Sequence, residues 1–202
     1  IAAPVNYSAV SSANGIAIAD LDGDGDRDVV VAQAGINSVS VVWNYGNGVL
    51  TPPYTYGAGP NPVCVEVRDL DGDGDQDLAV ADDGGSAVAI LLKTGPTSYA
   101  PFVSYAVGSH PRSIASGDLD GDSDVDLVVA NSADGTISVL ENQGNGTFAP
   151  QVVYAVPCNS IAALDLDGDS DLDLAVAGTN SVALLANDGN GGFGAPVNVA
   201  AS

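Results

Sequence analysis

The nine residues Asp20–Asp28, with the sequence DLDGDGDRD, decide the fold because the chain repeats this pattern three more times. The other copies begin at Asp69, Asp118 and Asp165, so the four starts are separated by 49, 49 and 47 residues. A period of this length is typical of repeat arrays such as solenoids and propellers. The chain therefore consists of four related units, each built around one acidic loop.

The charge of the chain is large and is concentrated in these loops. Of the 202 residues, 26 are acidic and 4 are basic, which gives a net charge of −22, and twenty of the acids lie in the four loops. Nucleic acids and anionic lipids would be repelled, so neither is expected as a partner. A hydrophobic content of 46% is too high for a disordered acidic tail. No apolar run approaches the ~18 residues that span a bilayer, so a membrane-spanning protein is not expected.

Each unit contains four short apolar segments that are typical of β-strands. In the first unit these are Ile16–Ala19, Val29–Ala32, Val39–Trp43 and a Pro-Val-x-Tyr segment that ends at Tyr7. They are rich in Val and Ile, too short for helices, and bounded by Gly, Asn, Asp and Pro. Four antiparallel strands in about 45–50 residues make one propeller blade, whereas a sandwich would not repeat one loop in register. We therefore predict a single all-β domain, a β-propeller of four blades of about 49 residues with four strands each.

The predicted repeats span residues 3–51, 52–99, 100–148 and 149–193, and residues 194–200 are left over as a surplus strand. This stub repeats the opening segment Ala3–Tyr7, so the chain holds five copies of one strand and four of everything else. Three explanations stay open: the surplus strand is disordered, the chain is a fragment of a larger propeller, or the strand pairs with a neighbouring subunit. Strand exchange predicts that deleting residues 1–8 abolishes self-association, and unchanged assembly would rule it out.

The acidic loops have the pattern expected of a calcium site. Carboxylates at positions 1, 3, 5 and 9 surround a point, Gly at position 4 allows a sharp turn, and position 7 offers its backbone carbonyl. Oxygen ligands in this number favour Ca²⁺ over Mg²⁺, and the scarcity of His and Cys disfavours zinc. An EF-hand needs Gly at position 6 and Glu at position 12, but position 12 here is Val, as at Val31. An unliganded acidic turn would leave five carboxylates in mutual repulsion.

We therefore predict about four Ca²⁺ ions, one in each loop, held by the aspartates of the four copies. The predicted metal-site residues are Asp20, Asp22, Asp24, Asp26, Asp28, Asp69, Asp71, Asp73, Asp75, Asp77, Asp118, Asp120, Asp122, Asp124, Asp126, Asp165, Asp167, Asp169, Asp171 and Asp173.

These loops, the Val-rich runs after them and the Gly-Asn-Gly-x-Phe stretches within 144–150 and Gly189–Pro196 resemble the calcium-binding FG-GAP repeats. That family is related to the integrin α-subunit propeller and to VCBS-type repeats of secreted bacterial proteins. The resemblance implies a β-propeller with Ca²⁺ in the loop between the first and second strands of each blade. It also implies ligation by the side chains at positions 1, 3, 5 and 9. Propellers of this family commonly have seven blades, so the four copies leave ring closure open.

Other chemically distinctive residues give weaker signals. Cys64 and Cys158 could form a bridge across a four-bladed ring or remain two buried thiols. Asn6 and Asn145 lie in glycosylation sequons. His110 has no partner that the sequence identifies, and neither a nucleophile elbow nor a phosphate loop is present. The non-repeated Trp43 is a modest candidate for a contact residue.

The predicted function is that of a non-catalytic, extracellular adhesion or recognition module with calcium-stabilised loops. Its partner would be a protein, a glycan or further copies of itself. Two alternatives are a structural subunit that assembles into a fibre or surface layer by strand exchange, and an accessory module of a larger secreted enzyme. The chain starts at Ile1 and has neither Met nor a leader, so we expect a secreted or cell-surface protein whose signal peptide has been removed.

Overall fold

The computed structural model of the chain describes residues 12–46 and 49–200. Over these residues the chain forms eighteen β-strands and one 3₁₀ turn at Ala34–Ile36, with no α-helix. Within the same described part, no helix is long and apolar enough to cross a bilayer. The all-β prediction is therefore confirmed.

Sixteen of the strands form four antiparallel sheets of four strands, numbered here in chain order. Sheet 1 contains β1 (Ala13–Ala19), β2 (Asp28–Gln33), β3 (Ser38–Val42) and β4 (Tyr54–Gly57). Sheet 2 contains β5 (Pro62–Arg68), β6 (Asp77–Asp82), β7 (Ala87–Leu91) and β10 (Val103–Ala106). Sheet 3 contains β11 (Pro111–Gly117), β12 (Asp126–Asn131), β13 (Thr136–Leu140) and β14 (Val152–Ala155). Sheet 4 contains β15 (Ser160–Leu164), β16 (Asp173–Ala177), β17 (Ser181–Leu185) and β18 (Val197–Ala200). The remaining strands, β8 (Lys93–Gly95) and β9 (Ser98–Tyr99), form a hairpin.

The second strand of each sheet explains why the apolar runs after the loops do not alternate with polar residues. Every residue of β6 and of β12 is buried, including residues on both faces of the sheet. A strand covered on both faces needs apolar side chains at successive positions, whereas a half-exposed strand alternates. The sheets therefore pack face to face, and their second strands lie in the interior.

The fourth strand of each sheet comes from a segment that the sequence assigns to the next repeat. Tyr56 on β4 pairs with Val39 on β3, although it belongs to the predicted second repeat. In the same way Val199 on β18 pairs with Val182 on β17. The prediction that 194–200 is a surplus strand is therefore wrong, because the chain turns back after each third strand and pairs with the sheet just formed. The predicted repeat boundaries are offset from the sheets by one strand. The opening copy at 3–7 lies outside the described residues.

The four sheets are arranged in chain order, and each packs against the next. The first strands β1, β5, β11 and β15 contact one another successively. Three hydrophobic clusters fill the spaces between sheets 1 and 2, sheets 2 and 3, and sheets 3 and 4. Across the described residues, no comparable contact connects sheet 4 back to sheet 1. The sheets therefore form an open series rather than a closed four-sheet ring.

Candidate metal centres

Each acidic loop lies between the first and second strands of its sheet and is shaped by its own carboxylates. In the first loop Asp20 accepts hydrogen bonds from the backbone N–H groups of Gly23 and Gly25, at 2.9 and 3.0 Å. Asp22 and Asp24 accept from the N–H two residues further on, at 3.3 and 2.8 Å. The same four bonds recur in the other three loops. Gly23 has φ +79°, a conformation that side-chain-bearing residues rarely adopt.

The aspartate at position 9 ties the loop to a turn after the third strand. Asp28 is fully buried. Its Oδ2 accepts from the N–H of Leu21 at 2.8 Å and its Oδ1 from the N–H of Asn44 at 2.7 Å. Equivalent pairs of bonds hold Asp77, Asp126 and Asp173. This residue therefore fixes where the loop sits relative to the rest of its sheet.

In every loop, three carboxylates come together with oxygen atoms within 4.8 Å of one another. Three loops use positions 1, 3 and 9, and the third loop uses positions 1, 3 and 5. The clustered residues are Asp20, Asp22 and Asp28; Asp69, Asp71 and Asp77; Asp118, Asp120 and Asp122; and Asp165, Asp167 and Asp173. The geometry thus unites the residues predicted at positions 1 and 3 in all four loops.

The side chains at position 7 do not join these clusters. The Asp26 carboxylate lies close to Gly46, where its Oδ2 would be 2.6 Å from an added Cβ atom. Asp124 and Asp171 lie in the same way against Gly144 and Gly189. In the second loop Asp75 instead forms an ion pair with Lys93, with Nζ 2.9 Å from Oδ1. The described position-7 side chains therefore lie outside the carboxylate clusters, and ligation by the position-7 carbonyl stays a prediction.

Burial makes the position-9 carboxylates of the first three loops reluctant to ionise. Desolvation raises the pKa of Asp77 to about 6 from an ordinary value of 3.8, against the lowering effect of the N–H groups of Lys93 and Leu70. The pKa of Asp126 is likewise raised to about 6, first by burial and then by nearby carboxylates. Burial also raises the pKa of Asp28. A cation at these oxygens would favour the charged form, because opposite charge lowers a carboxyl pKa.

The chemistry of the donors fits a hard divalent cation. All of the clustered ligand atoms are carboxylate oxygens, which are the ligands that Ca²⁺ and Mg²⁺ prefer. Over the described residues, Lys93 is the one basic side chain that forms an ion pair with a loop aspartate. The charge of the other three loops is therefore not balanced by an ion pair to a described basic residue.

Two residues that the sequence did not single out connect neighbouring sheets. Asn142 donates from Nδ2 to the carbonyl oxygen of Leu70 in the preceding sheet's loop, at 2.8 Å, and to that of Val125 at 3.0 Å. Asn187 makes the same connection to Leu119, at 2.8 Å. A signal was present, since Asn recurs after the third strand at 44, 142 and 187, but its cross-sheet partner is distant in sequence.

The weaker sequence candidates have structural explanations. Cys64 and Cys158 are free thiols, so the proposed bridge between them is not formed. Trp43 is fully buried between sheets 1 and 2, so its prediction as a contact residue is wrong. His110 does have a partner, because its Nδ1 lies 2.8 Å from Oδ1 of Asp83 at the end of sheet 2 remote from the loop. Of the two sequons, Asn145 lies in an exposed turn, and Asn6 is outside the described residues.

Comparison with protein families identifies the repeat. A family model described as an FG-GAP-like repeat matches residues 20–80, 69–129 and 118–176. The chain belongs to the FG-GAP-like repeat family. Each match begins at position 1 of an acidic loop and ends in the second strand of the next sheet. Comparison with curated protein sequences gives no significant match.

Solved structures with low sequence identity share the propeller-like fold. A lectin from Agrocybe aegerita that recognises non-reducing terminal N-acetylglucosamine is 20% identical, with a TM-score of 0.60 over 91% of this chain and 51% of that chain. A functionally unknown protein from Desulfotomaculum acetoxidans is 17% identical, with a TM-score of 0.67 over 96% and 59%. Virginiamycin B lyase from Staphylococcus aureus is 15% identical, with a TM-score of 0.59 over 95% and 56%. The FG-GAP-like chain thus spans little more than half the length of these structures.

Proposed function

We propose that this FG-GAP-like chain is an extracellular calcium-binding module that recognises a glycan or protein without catalysing a reaction. In this proposal each four-stranded sheet is one propeller blade, and each acidic loop holds one Ca²⁺. The observation that carries the proposal is the carboxylate cluster, which recurs at the same place in all four sheets. The four repeats all keep this cluster, and we attribute this to a ligand that they share.

The residues that would hold calcium are those at positions 1, 3, 5 and 9 of each loop. Bound calcium supplies positive charge that offsets the repulsion among these carboxylates. The chain provides the rest of the site: the position-1 carboxylate shapes the turn, and position 9 anchors it to the third strand through Asn44, Lys93, Asn142 or Asn187. A loop organised in this way presents the same backbone path in every sheet.

The extracellular location is supported by the kind of site. Extracellular calcium-binding modules have Kd values of about 10⁻⁴ to 10⁻³ M, so millimolar calcium outside cells would fill half or more of such sites. A cytosolic protein with sites this weak would remain largely calcium-free. The location is therefore a consequence of the proposed affinity and can be tested through it.

A recognition role is supported by how the polar residues are used. The loop aspartates already serve the clusters, the turns or the ion pair with Lys93, so the proposal assigns none of them to acid–base chemistry. His110 is likewise paired with Asp83, away from the loops. The lectin with the same fold shows that a propeller of this type can recognise a sugar, although at 20% identity the likeness concerns the fold alone.

The first experiment is a calcium titration of the chelated protein by calorimetry. We expect about four ions per chain with Kd values near millimolar. No heat and no thermal stabilisation up to tens of millimolar calcium would contradict the metal sites.

The recognition role needs a separate measurement. The calcium-loaded chain is applied to arrays of glycans and of extracellular matrix proteins, and the binding is repeated after chelation. Binding that is selective for one ligand class and lost on chelation is expected. An absence of selective binding in calcium would contradict recognition while leaving the calcium sites intact.

A further inference from the structure

The three joints between neighbouring sheets are built from the same positions. Each sheet has a leading face, which packs on the preceding sheet, and a trailing face, which packs on the following one. In sheet 2 the leading face includes Val65 and Val67 of the first strand. The trailing face of sheet 1 includes Leu21 of its loop and Val39 of its third strand. Equivalent positions meet in the other two joints.

Two polar and aromatic contacts accompany the apolar packing of these joints. In two of the three joints the side-chain amide that follows the third strand donates to the loop leucine carbonyl of the preceding sheet, in the Asn142–Leu70 and Asn187–Leu119 bonds. In the joint between sheets 1 and 2 this position is Lys93. An aromatic ring of the fourth strand also packs edge-to-face on a ring of the following sheet. These pairs are Tyr56 with Tyr99, Tyr105 with Phe148 and Tyr154 with Phe193, at centroid distances of 5.2, 5.3 and 5.7 Å.

The leading face of sheet 1 has the same apolar character, but among residues 12–46 and 49–200 no other sheet packs against it. Ile16 is 66% exposed, whereas the equivalent Val65 in sheet 2 is 5% exposed. Ile18 is 55% exposed, whereas the equivalent Val67 is 7% exposed. Ile16 and Ile18 are therefore exposed to solvent at positions where the other sheets bury their side chains. Neighbouring exposed aliphatic side chains are unfavourable on a free surface.

The trailing face of sheet 4 also exposes apolar side chains whose equivalents are buried in the other sheets. Leu166 in its loop is 42% exposed, whereas Leu21, Leu70 and Leu119 are at most 2% exposed. Val182 on its third strand is 39% exposed, whereas the equivalent Val39 is fully buried. Val197 and Val199 on the fourth strand extend the same surface. A shallow cavity beside Leu166 is lined by Leu184, Leu185, Ala186 and Val197 together with Asp167 and Asp173 of the fourth loop.

The polar groups on these two faces also match. Asn44 is the counterpart of Asn142 and Asn187, and among the described residues its Nδ2 donates to Arg27, within its own sheet, at 3.1 Å. Its counterparts each donate to two carbonyls, one of them in the preceding sheet's loop. Asn44 thus has a second amide hydrogen for a loop carbonyl, and Leu166 presents such a carbonyl at the other end of the molecule.

We propose that a second copy of this chain docks head to tail, with the trailing face of sheet 4 against the leading face of sheet 1. Two such joints close a dimer with eight sheets in one ring, which is within the range of about 4–8 blades found in propellers. Each joint reproduces the apolar packing and the amide bond of an internal one, without its aromatic pair: Leu166 and Val182 cover Ile16 and Ile18, and Asn44 donates to the carbonyl of Leu166. None of these five side chains is charged, so docking buries no unpaired charge among them.

The oligomeric state tests this proposal directly. Light scattering on a sizing column, with the whole chain in millimolar calcium, should give a single species of about 40 kDa, twice the 20.0 kDa of one chain. A species of 20 kDa would overturn the proposal and leave further sheets of a longer polypeptide as the occupant. A ladder of larger species would overturn the closed ring, because head-to-tail contacts that do not close form filaments.

Substitutions on the two faces locate the joint. Ile16→Lys on the leading face and Val199→Lys on the trailing face should each convert the dimer to a monomer. The matched control is Val153→Lys on the fourth strand of sheet 3, because Val153 is 52% exposed but lies on neither open face. Circular dichroism checks that all three variants are folded. Dissociation by Val153→Lys, or dimers that persist in both face variants, would overturn the proposal.

A mixing experiment distinguishes head-to-tail docking from docking of like faces. In a mixture of the Ile16→Lys and Val199→Lys variants, one joint of a mixed dimer carries both substitutions and the other carries none. We therefore expect the two monomeric variants to recover a 40 kDa species when combined, with a mass twice that of one chain. A mixture that remains monomeric would overturn the head-to-tail arrangement.

Discussion

At the scale of single residues, the position-9 aspartate holds its loop in place by hydrogen bonds and, in three of the four loops, also belongs to the carboxylate cluster. Its two oxygens accept one hydrogen bond from a backbone N–H in the loop and one from a backbone N–H after the third strand. Asp126, for example, accepts from Leu119 and Asn142. A carboxylate can accept more than two contacts, since each oxygen has two lone pairs. A cation bound at the cluster, as proposed above, would therefore contact the same side chain that holds the end of the third strand.

Replacing one of these aspartates should remove one calcium site. Asp77→Asn replaces a carboxylate of the second cluster with an amide, which cannot provide negative charge. We expect the calcium stoichiometry to fall from four to three by calorimetry. The control is Asp124→Asn, whose side chain lies outside its cluster, and which should retain four ions. Equal loss in both variants would contradict the assignment of positions 7 and 9.

Without calcium, the buried carboxylates should make the protein more stable in mild acid. The pKa of Asp77 and of Asp126 is about 6 when folded, above the ordinary value of 3.8 expected for the unfolded chain. The folded state thus binds more protons between these values, so this stabilisation is complete below about pH 4 and is lost as the pH rises through about 6. We expect the Tm in calcium-depleted buffer to be higher at pH 5 than at pH 7. In millimolar calcium the trend should reverse, because protons compete with the ion. A Tm that falls on acidification in both buffers would contradict this account.

At the scale of elements, most strands and all four loops could be predicted from the sequence, because their patterns are local. The apolar runs gave β2, β6, β12 and β16, and the repeated aspartates gave the loops. The sheet to which each fourth strand belongs could not be predicted in this way. The Pro-Val-x-Tyr segment has the same composition whether it begins one sheet or completes the previous one, and pairing with β3 is a long-range choice. The cross-sheet bonds of Asn142 and Asn187 were missed for the same reason.

The cross-sheet amides should contribute measurably to stability. Asn142→Ala leaves the carbonyls of Leu70 and Val125 without this donor in a buried joint. An unsatisfied buried polar group costs about 1–3 kcal/mol, so we expect a loss of that size in the free energy of unfolding by urea denaturation. The control is Asn145→Ala in the same turn, where the exposed side chain bonds to Thr147, and its effect should stay within about 0.5 kcal/mol. Equal effects of the two changes would indicate that the joint does not depend on this bond.

At the scale of the whole molecule, the sequence predicted the repeat and the propeller-like arrangement of sheets. It did not predict whether the sheets close into a ring. Closure depends on the angle between successive sheets, which is a sum over all joints and is not encoded in one motif. The structure shows an open series whose end faces expose Ile16 and Leu166, where the internal sheets are covered. Residues 1–11, and with them the first copy of the Pro-Val-x-Tyr segment, lie outside the described part. Residues 197–200 already pair within sheet 4, so the opening copy at 3–7 is the segment left for the strand-exchange hypothesis.

Removing calcium should destabilise the whole chain. At about ten times Kd of free calcium, each independent site adds ~1.4 kcal/mol and four sites add ~6 kcal/mol. One kcal/mol shifts the Tm of a domain of this length by about 2–4 °C, so we expect chelation to lower the Tm by roughly 12–24 °C. Scanning calorimetry in calcium and in EDTA measures this difference. A Tm that is indifferent to EDTA would show that the loops are stable without a counter-ion.

The single connection between each pair of successive sheets has a mechanical consequence. Each connection, such as that from β4 to β5, runs from the last strand of one sheet to the first strand of the next. A pulling force on the two ends of the chain therefore reaches the sheets in series, through single connecting segments. We expect such a chain to lengthen in discrete steps under load, one sheet at a time. The steps should be nearly equal, because Asp20, Asp69 and Asp118 lie 49 residues apart, and single-molecule force spectroscopy can count them. A module of this design would act as an extensible spacer, and calcium, if bound as proposed, would set the force at which each step occurs.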